Sequence, residues 1–218
     1  MNNCLICQNN TQDSDYKSLC VGCQSLLQKP IFSCHQCGTP LQVSQHLCGS
    51  CLIKPPVFNQ TFYASLYQEP VDTWVMALKF GKKIIYSRLM AELMQPALDQ
   101  VNKGYVLMPV PLHKSRLRTR GYNQAYEIAK ELSKYSGLKL DASLLRKKDT
   151  QMQAQLKFKE RAKNVRGAFA LPSDFHREKV VLVDDVMTSG NTLSECSKTL
   201  IKSGVKSVKV LVFARKSL

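Results

Sequence analysis

VVLVDDVMTSGNT, Val180–Thr192, carries the strongest fold signal in the chain. Its first four residues, Val180 to Val183, are all aliphatic, which predicts a strand buried on both faces, as in a parallel sheet. Two adjacent acids, Asp184 and Asp185, stand where that strand ends. After Val186 and Met187 comes a turn of small and hydroxylic residues: Thr188, Ser189, Gly190, Asn191 and Thr192. Leu193, Cys196 and Leu200 then follow at helical spacing. In an open α/β sheet, ligands sit beyond the carboxyl ends of the strands. A turn that opens a helix offers backbone N–H groups and the positive end of the helix dipole to an anion. Gly190 allows close approach of the main chain, and the three hydroxyls add donors.

Carboxylates beside an anion loop make sense if the ligand also carries vicinal hydroxyls. A ribose 5-phosphate unit has both: the loop takes the phosphate, and Asp184 and Asp185 accept from the diol. The stretch resembles the phosphoribosyl-pyrophosphate (PRPP) motif of type I phosphoribosyltransferases: two acids, two residues, then Thr-Thr-Gly, with Ser189 replacing the second Thr. The plain alternative is a buried strand followed by an aspartate-capped helix. A cap alone does not require the whole strand–acid–acid–hydroxyl–glycine–helix order.

The 218 residues suffice for one ordinary domain and a small module. No apolar run is long enough for a membrane span, and the N-terminus shows no basic-then-apolar signal, so the cytoplasm is the expected compartment. The formal net charge is +15, and nearly all of the excess falls after residue 60. So basic a surface predicts a polyanionic partner, the alternative being a merely soluble one.

Eight of the nine cysteines form four CxxC pairs: Cys4/Cys7, Cys20/Cys23, Cys34/Cys37 and Cys48/Cys51. Each knuckle points two thiolates at one tetrahedral ion, and two knuckles complete a Cys4 site. In a reducing compartment this spacing predicts two structural zinc ions rather than disulfides. Sequential and cross-braced pairing are both compatible with the spacing. His35 and His46 are spare ligands. The segment holds few large apolar residues, so metal must help it fold. Residues 1–54 therefore read as a double zinc-ribbon-like module. Its low charge favours a structural or docking role over direct nucleic-acid contact.

Lys54-Pro55-Pro56 reads as a stiff linker into residues 55–218, a phosphoribosyltransferase-like domain. Thr61–Tyr67 reads as a strand. Glu69–Phe80 reads as a helix with Val71, Trp74, Val75 and Leu78 inward and Gly81 as its stop. Lys79, Lys82 and Lys83 at its end are read as solvated charges complementing the dipole, the alternative being that they reach the pocket. Ile84–Leu98 is a second helix and Gly104–Pro111 a strand. His113–Gly121 is read as a loop with four permanent cations, Lys114, Arg116, Arg118 and Arg120. A helix with Ala125, Ile128, Ala129 and Leu132 inward follows. Arg146–Phe169 is a long basic link, functional or mobile by its length. Val208–Phe213 is the last strand.

Further features narrow the resemblance. The four-CxxC head, Pro109-Val110-Pro111-Leu112, and Arg116…Arg120-Gly121-Tyr122-Asn123-Gln124 resemble the ComF family of competence proteins. So do Thr150, Gln153, Leu156, Arg161 and Asn164-Val165 ahead of the acid pair. The resemblance implies an α/β fold: a small N-terminal Cys4-type zinc module, then a type I phosphoribosyltransferase domain with a mainly parallel central sheet flanked by helices. It implies PRPP with Mg²⁺ at Asp184–Thr192, pyrophosphate at Lys114, Arg116 and Arg120, and a flexible closing loop carrying Gln153, Arg161 and Asn164. It also implies natural transformation, incoming single-stranded DNA, and a DNA-translocating helicase or recombination mediator as partner.

Two functions stay open. One is an active phosphoribosyltransferase on a nucleobase or nucleotide-type acceptor, unrelated to competence. There, arginines stabilise the departing pyrophosphate, and Asp184 or Asp185 is the acid–base candidate. The other is a binding module for single-stranded DNA, with Tyr122, Tyr126, Phe158 and Phe169 as stacking candidates and core packing as their commoner fate.

Overall fold

The structure, a computed structural model, describes residues 3–101, 104–149 and 164–217. Its frame is a four-stranded, all-parallel sheet in the order β3 (Gln60–Leu66), β8 (Ser207–Arg215), β7 (Lys179–Met187), β4 (Val106–Pro109). Strand alternation divides the aliphatic runs between two cores. Val181, Val183, Leu107, Leu211 and Phe213 pack on one face with α3 (Val71–Lys79), α4 (Ile85–Leu98) and α6 (Gln124–Ser136). Val180, Leu182, Met108, Val210 and Val212 pack on the other with α7 (Asn191–Lys202). On α6, Ile128 and Leu132 are fully buried; each contributes about 2 kcal/mol of apolar burial. Among the described residues, no helix is long and apolar enough to cross a membrane.

The head contributes α1 (Val21–Gln24), an antiparallel pair of β1 (Phe32–Ser33) and β2 (Pro40–Leu41), and α2 (Gly49–Ile53). It is pressed against the sheet. Leu66 N–H donates to Gln28 O at 2.8 Å, and Thr61 N–H to His35 O at 3.2 Å. The outer edge of β3 is thereby covered, which removes an open template for strand pairing. Cys4, Leu19, Cys20 and Cys23 belong to the same apolar cluster as Trp74 and Leu89. Lys17 N–H donates to Glu92 on α4.

Two expectations about local structure change. β7 does not stop at Val183: its ladder with β8 runs to Met187 opposite Arg215, so both acids are strand residues. His113–Gly121 is not a loop but holds α5 (Lys114–Arg120). The His113 ring Nδ1 accepts from Ser115 N–H at its start, and Gly121 at φ +88° ends it. Arg, Lys and Leu are good helix formers, but α5 buries no residue and so shows no apolar stripe. The Arg146–Phe169 link begins and ends in a small antiparallel pair, β5 (Leu145–Arg146) with β6 (Phe169–Ala170).

Candidate functional site

The site forms at the carboxyl end of β7. Alternation sends the two acids to opposite faces of the strand rather than side by side. Asp185 shares the face of Val181 and Val183, is 5% exposed, and meets the Lys79 ammonium of α3 at 2.8 Å. Asp184 takes the face of Val180 and Leu182, and its Oδ1 accepts from Asp185 N–H at 2.9 Å. Burial pushes the Asp184 carboxyl up to about 7, and the Asp185 charge adds to the shift while Lys79 opposes it. Burial alone would lower the Lys79 ammonium. The Asp185 charge and hydrogen bond more than offset that, so Lys79 is held above its ordinary value and stays a cation.

For Lys79 the structure takes the alternative to a solvated charge: it lines the cavity and meets Asp185. A signal was present. Val71, Trp74, Val75 and Leu78 make the buried stripe of α3, and Lys79 lies eight residues after Val71, on that same stripe. A charge on the inner face of a helix needs a partner, and Asp185 is that partner.

Past Met187 the chain turns. Gly190 sits at φ +72°, and a Cβ there would lie 2.7 Å from Met187 Cε. α7 then starts with no side-chain cap and no acid in its first turn. Its leading N–H groups and dipole are left for an anion. Ser189 Oγ is buried and has no hydrogen-bond partner among the described residues. An orphaned buried hydroxyl beside an uncapped helix start fits an oxygen-rich anion. Thr188, Asn191 and Thr192 are half-buried around it. Val186 is half-buried and Met187 buried, so their side chains pack the turn.

α5 supplies the opposing charge. Arg116 and Arg120, four residues apart and so on one face, join Lys79, Lys82, Phe80 and Asp149 around a cavity of about 370 Å³. The Arg120 guanidinium lies 5.2 Å from the Phe80 ring centroid. Burial lowers the Arg120 pKa, and the Asp185 charge opposes that. The expected trio of Lys114, Arg116 and Arg120 is split. Lys114 turns to the far side of α5 and lines a neighbouring cavity of about 790 Å³ with Leu117, Tyr126 and Arg146. Of the expected stacking rings, Tyr122 and Phe169 are buried and Tyr126 is partly exposed. Asn164 is half-buried. Gln153, Phe158 and Arg161 lie outside the described residues.

The cysteines pair sequentially. Cys4, Cys7, Cys20 and Cys23 form one cluster and Cys34, Cys37, Cys48 and Cys51 the other, with all sulfurs of each within 4.8 Å of one another. Cys7 and Cys20 sulfurs are 3.5 Å apart, and Cys37 and Cys48 sulfurs 3.6 Å. A tetrahedral ion with Zn–S bonds of about 2.3 Å separates its sulfurs by roughly 3.8 Å. Both clusters therefore fit a zinc ion. His35 and His46 stack on each other at 4.5 Å and belong to neither cluster.

Residues 117–217 match the family described as "Phosphoribosyl transferase domain". The whole chain is similar to competence protein F of Haemophilus influenzae: 34% identical, covering 97% of this chain and 96% of that protein. It is 29% identical to DNA utilization protein YhgH of Escherichia coli over 90% of each chain. It is 24% identical to competence protein ComFC of Bacillus subtilis over 92% of this chain and 89% of that one. A Cys4-headed chain with a parallel sheet, matched from end to end by competence protein F, belongs to the ComF family of competence proteins, built on the phosphoribosyltransferase fold.

Proposed function

We propose that this protein binds PRPP or a related phosphoribosyl ligand with Mg²⁺ at the end of β7 and handles incoming single-stranded DNA in the cytoplasm during natural transformation. One observation carries the reading. An uncapped α7 start with an orphaned Ser189 hydroxyl follows an acid pair on one central strand, and Asp185 of that pair meets Lys79, which lines a cavity with Arg116 and Arg120. The 5-phosphate lies on the main chain of 188–192, and the acids accept from the ribose diol. Asp184 and Asp185 offer hard oxygen donors that suit Mg²⁺, which when bound neutralises phosphate charge. Arg116, Arg120 and Lys79 hold the pyrophosphate end. Residues 1–54 act as a zinc-held module supporting 55–218, and eight thiolate ligands require a reducing compartment. The relatives' names, competence and DNA utilization, support the transformation role. The basic surface supports single-stranded DNA, with a translocating helicase or recombination mediator as the protein partner.

A second reading, turnover on a nucleobase or nucleotide-type acceptor, is favoured by Phe80. Its ring is 56% exposed at the cavity mouth with Arg120 against it, a surface on which a base can stack. In that reaction Asp184 or Asp185 holds the acceptor proton and the cations stabilise departing pyrophosphate. Calorimetry with PRPP and Mg²⁺ on the wild type and on Asp184→Asn and Asp185→Asn tests binding. The wild type alone should bind tightly; equal affinity in all three overturns the proposal. Pyrophosphate release with single-stranded DNA or nucleobases separates enzyme from binding module.

A further inference from the structure

Arg215, the last residue of β8, is 1% exposed. A buried guanidinium is normally met by a carboxylate, because the cost of removing it from water is several kcal/mol. Among the described residues no carboxylate pairs with Arg215. It is met instead by oxygens from two distant segments. Nε donates to Cys37 O at 2.9 Å, and Nη2 to Thr39 Oγ1 at 2.9 Å. Nη1 donates to Thr188 O at 2.7 Å, Met187 O at 3.2 Å, and Lys216 O. One side chain thus joins the third cysteine knuckle, the first of the second cluster, to the first residues of the anion turn.

The knuckle itself is held against the sheet. Thr61 Oγ1 donates to Gln36 O at 2.7 Å. A Cβ built at Gly38 would lie 3.1 Å from Thr61 and Tyr63 atoms. Gln36 Nε2 donates to Phe58 O at 3.2 Å, and the Phe58 ring lies 3.8 Å from a Cβ built at Gly190. A second path therefore runs from the knuckle to the same turn. Thr39 Oγ1 also lies 3.2 Å from Cys37 Sγ, so the metal ligand, the hydroxyl and the guanidinium form one chain. Among the described residues the first cluster has no such link: it packs toward α3 and α4.

We infer that Arg215 is a positioning residue through which the Cys34/Cys37/Cys48/Cys51 cluster sets the geometry of the 188–192 turn. A metal ion held by those four thiolates would fix the Cys37 carbonyl and the Thr39 hydroxyl. These fix the guanidinium, and the guanidinium fixes the Thr188 carbonyl. With that carbonyl turned away, the following N–H groups face the anion. The functional part of this inference rests on the phosphoribosyl reading of the turn; the mechanical part does not.

The test uses the full-length protein with Thr39→Val, which removes one hydroxyl at nearly constant shape. Thr11→Val, between the first two knuckles, is the control, since Thr11 Oγ1 donates within its own module, to Lys17 O. Hydrogen exchange of amides 188–192 is read without ligand, against amides 106–108 of β4. Ribose 5-phosphate affinity is read by calorimetry with Mg²⁺. Thr39→Val should speed exchange at 188–192 and weaken ribose 5-phosphate, each by about five-fold, the loss of one hydrogen bond. β4 exchange and bound zinc should be unchanged, and Thr11→Val should behave as wild type. Arg215→Lys should reproduce the effect more strongly. Unchanged exchange at 188–192 in both Thr39→Val and Arg215→Lys, or equal acceleration throughout the sheet, overturns the inference. If the wild type does not bind ribose 5-phosphate, the phosphoribosyl reading fails, and the exchange comparison still decides the coupling.

Discussion

The Lys79 ammonium of α3 sits 2.8 Å from Asp185 of β7, the lysine side chain 23% and the aspartate side chain 7% exposed. The pair joins a helix on one side of the sheet to the acid end of its central strand. It gives a buried carboxylate a cationic partner without any ligand. Lys79→Met leaves Asp185 buried and unpaired, and partial exposure of the lysine moderates the cost. Urea unfolding should show a loss of roughly 2 kcal/mol. Adding Asp185→Asn should restore most of it. Strictly additive losses in the double variant would mean that the pair contributes no coupling.

The Asp184 carboxyl, raised to about 7 by burial, gives the fold a pH signature. Between an unfolded value near 4 and about 7, the folded state binds more protons than the unfolded state at this group. Asp184 therefore lowers stability as pH rises through that window, and its penalty is complete above about 7. Asp184→Asn removes this term. The stability of the variant relative to wild type should be greater at pH 8 than at pH 5, measured by urea midpoints. An unchanged difference at the two pH values would place the Asp184 carboxyl near its ordinary range.

Ser189 separates stability from binding. Its hydroxyl is buried and has no partner among the described residues, so Ser189→Ala relieves an unmet group. Thermal stability should stay level or rise slightly. PRPP affinity should fall about five-fold, the value of one hydrogen bond near 1 kcal/mol. A variant that loses stability but not affinity would make Ser189 a structural residue.

Metal removal should be felt beyond the head. Residues 1–51 considered alone would unfold by themselves on chelation. The packing carries the effect further, because Cys4, Cys20 and Cys23 share a buried cluster with Trp74 and Leu89. Trp74 is the single tryptophan and is 3% exposed. Chelation should shift its emission to the red and lower the melting temperature of the whole chain. Metal-free protein with unchanged Trp74 emission would mean that the head unfolds without disturbing its packing against α3.

Binding of single-stranded DNA should weaken steeply with salt, since cations on α5 and elsewhere release counterions. Lys114→Ala should lower the slope of log affinity against log salt by about 0.7 if that lysine touches a phosphate. Fluorescence anisotropy between low and moderate salt measures it; a flat affinity in the wild type would remove the polyanion from the proposal.

The periodic elements were legible. The inward residues of α3, α6 and α7 are those whose spacing marked them, because one face of each meets a continuous apolar sheet. α5 was not legible as a helix, because it buries nothing and its order comes from a His113 cap and a Gly121 stop. The opposed directions of Asp184 and Asp185 are not legible in the sequence, because the aliphatic run marks the strand only as far as Val183. Only the ladder with β8 shows that it continues to Met187.

By itself the sequence determined that four CxxC knuckles bind together in two sets, that a parallel sheet forms, and that an acid pair precedes a helix-opening turn. Each of these is local: a spacing, an alternation, a short order of residue types. Only the tertiary structure decided which cysteines cluster together, that Lys79 meets Asp185, and that Arg215 joins Cys37 and Thr39 to Thr188. Those contacts join residues far apart in the chain. They exist because a buried charge must find a partner wherever the packed sheet brings one within reach.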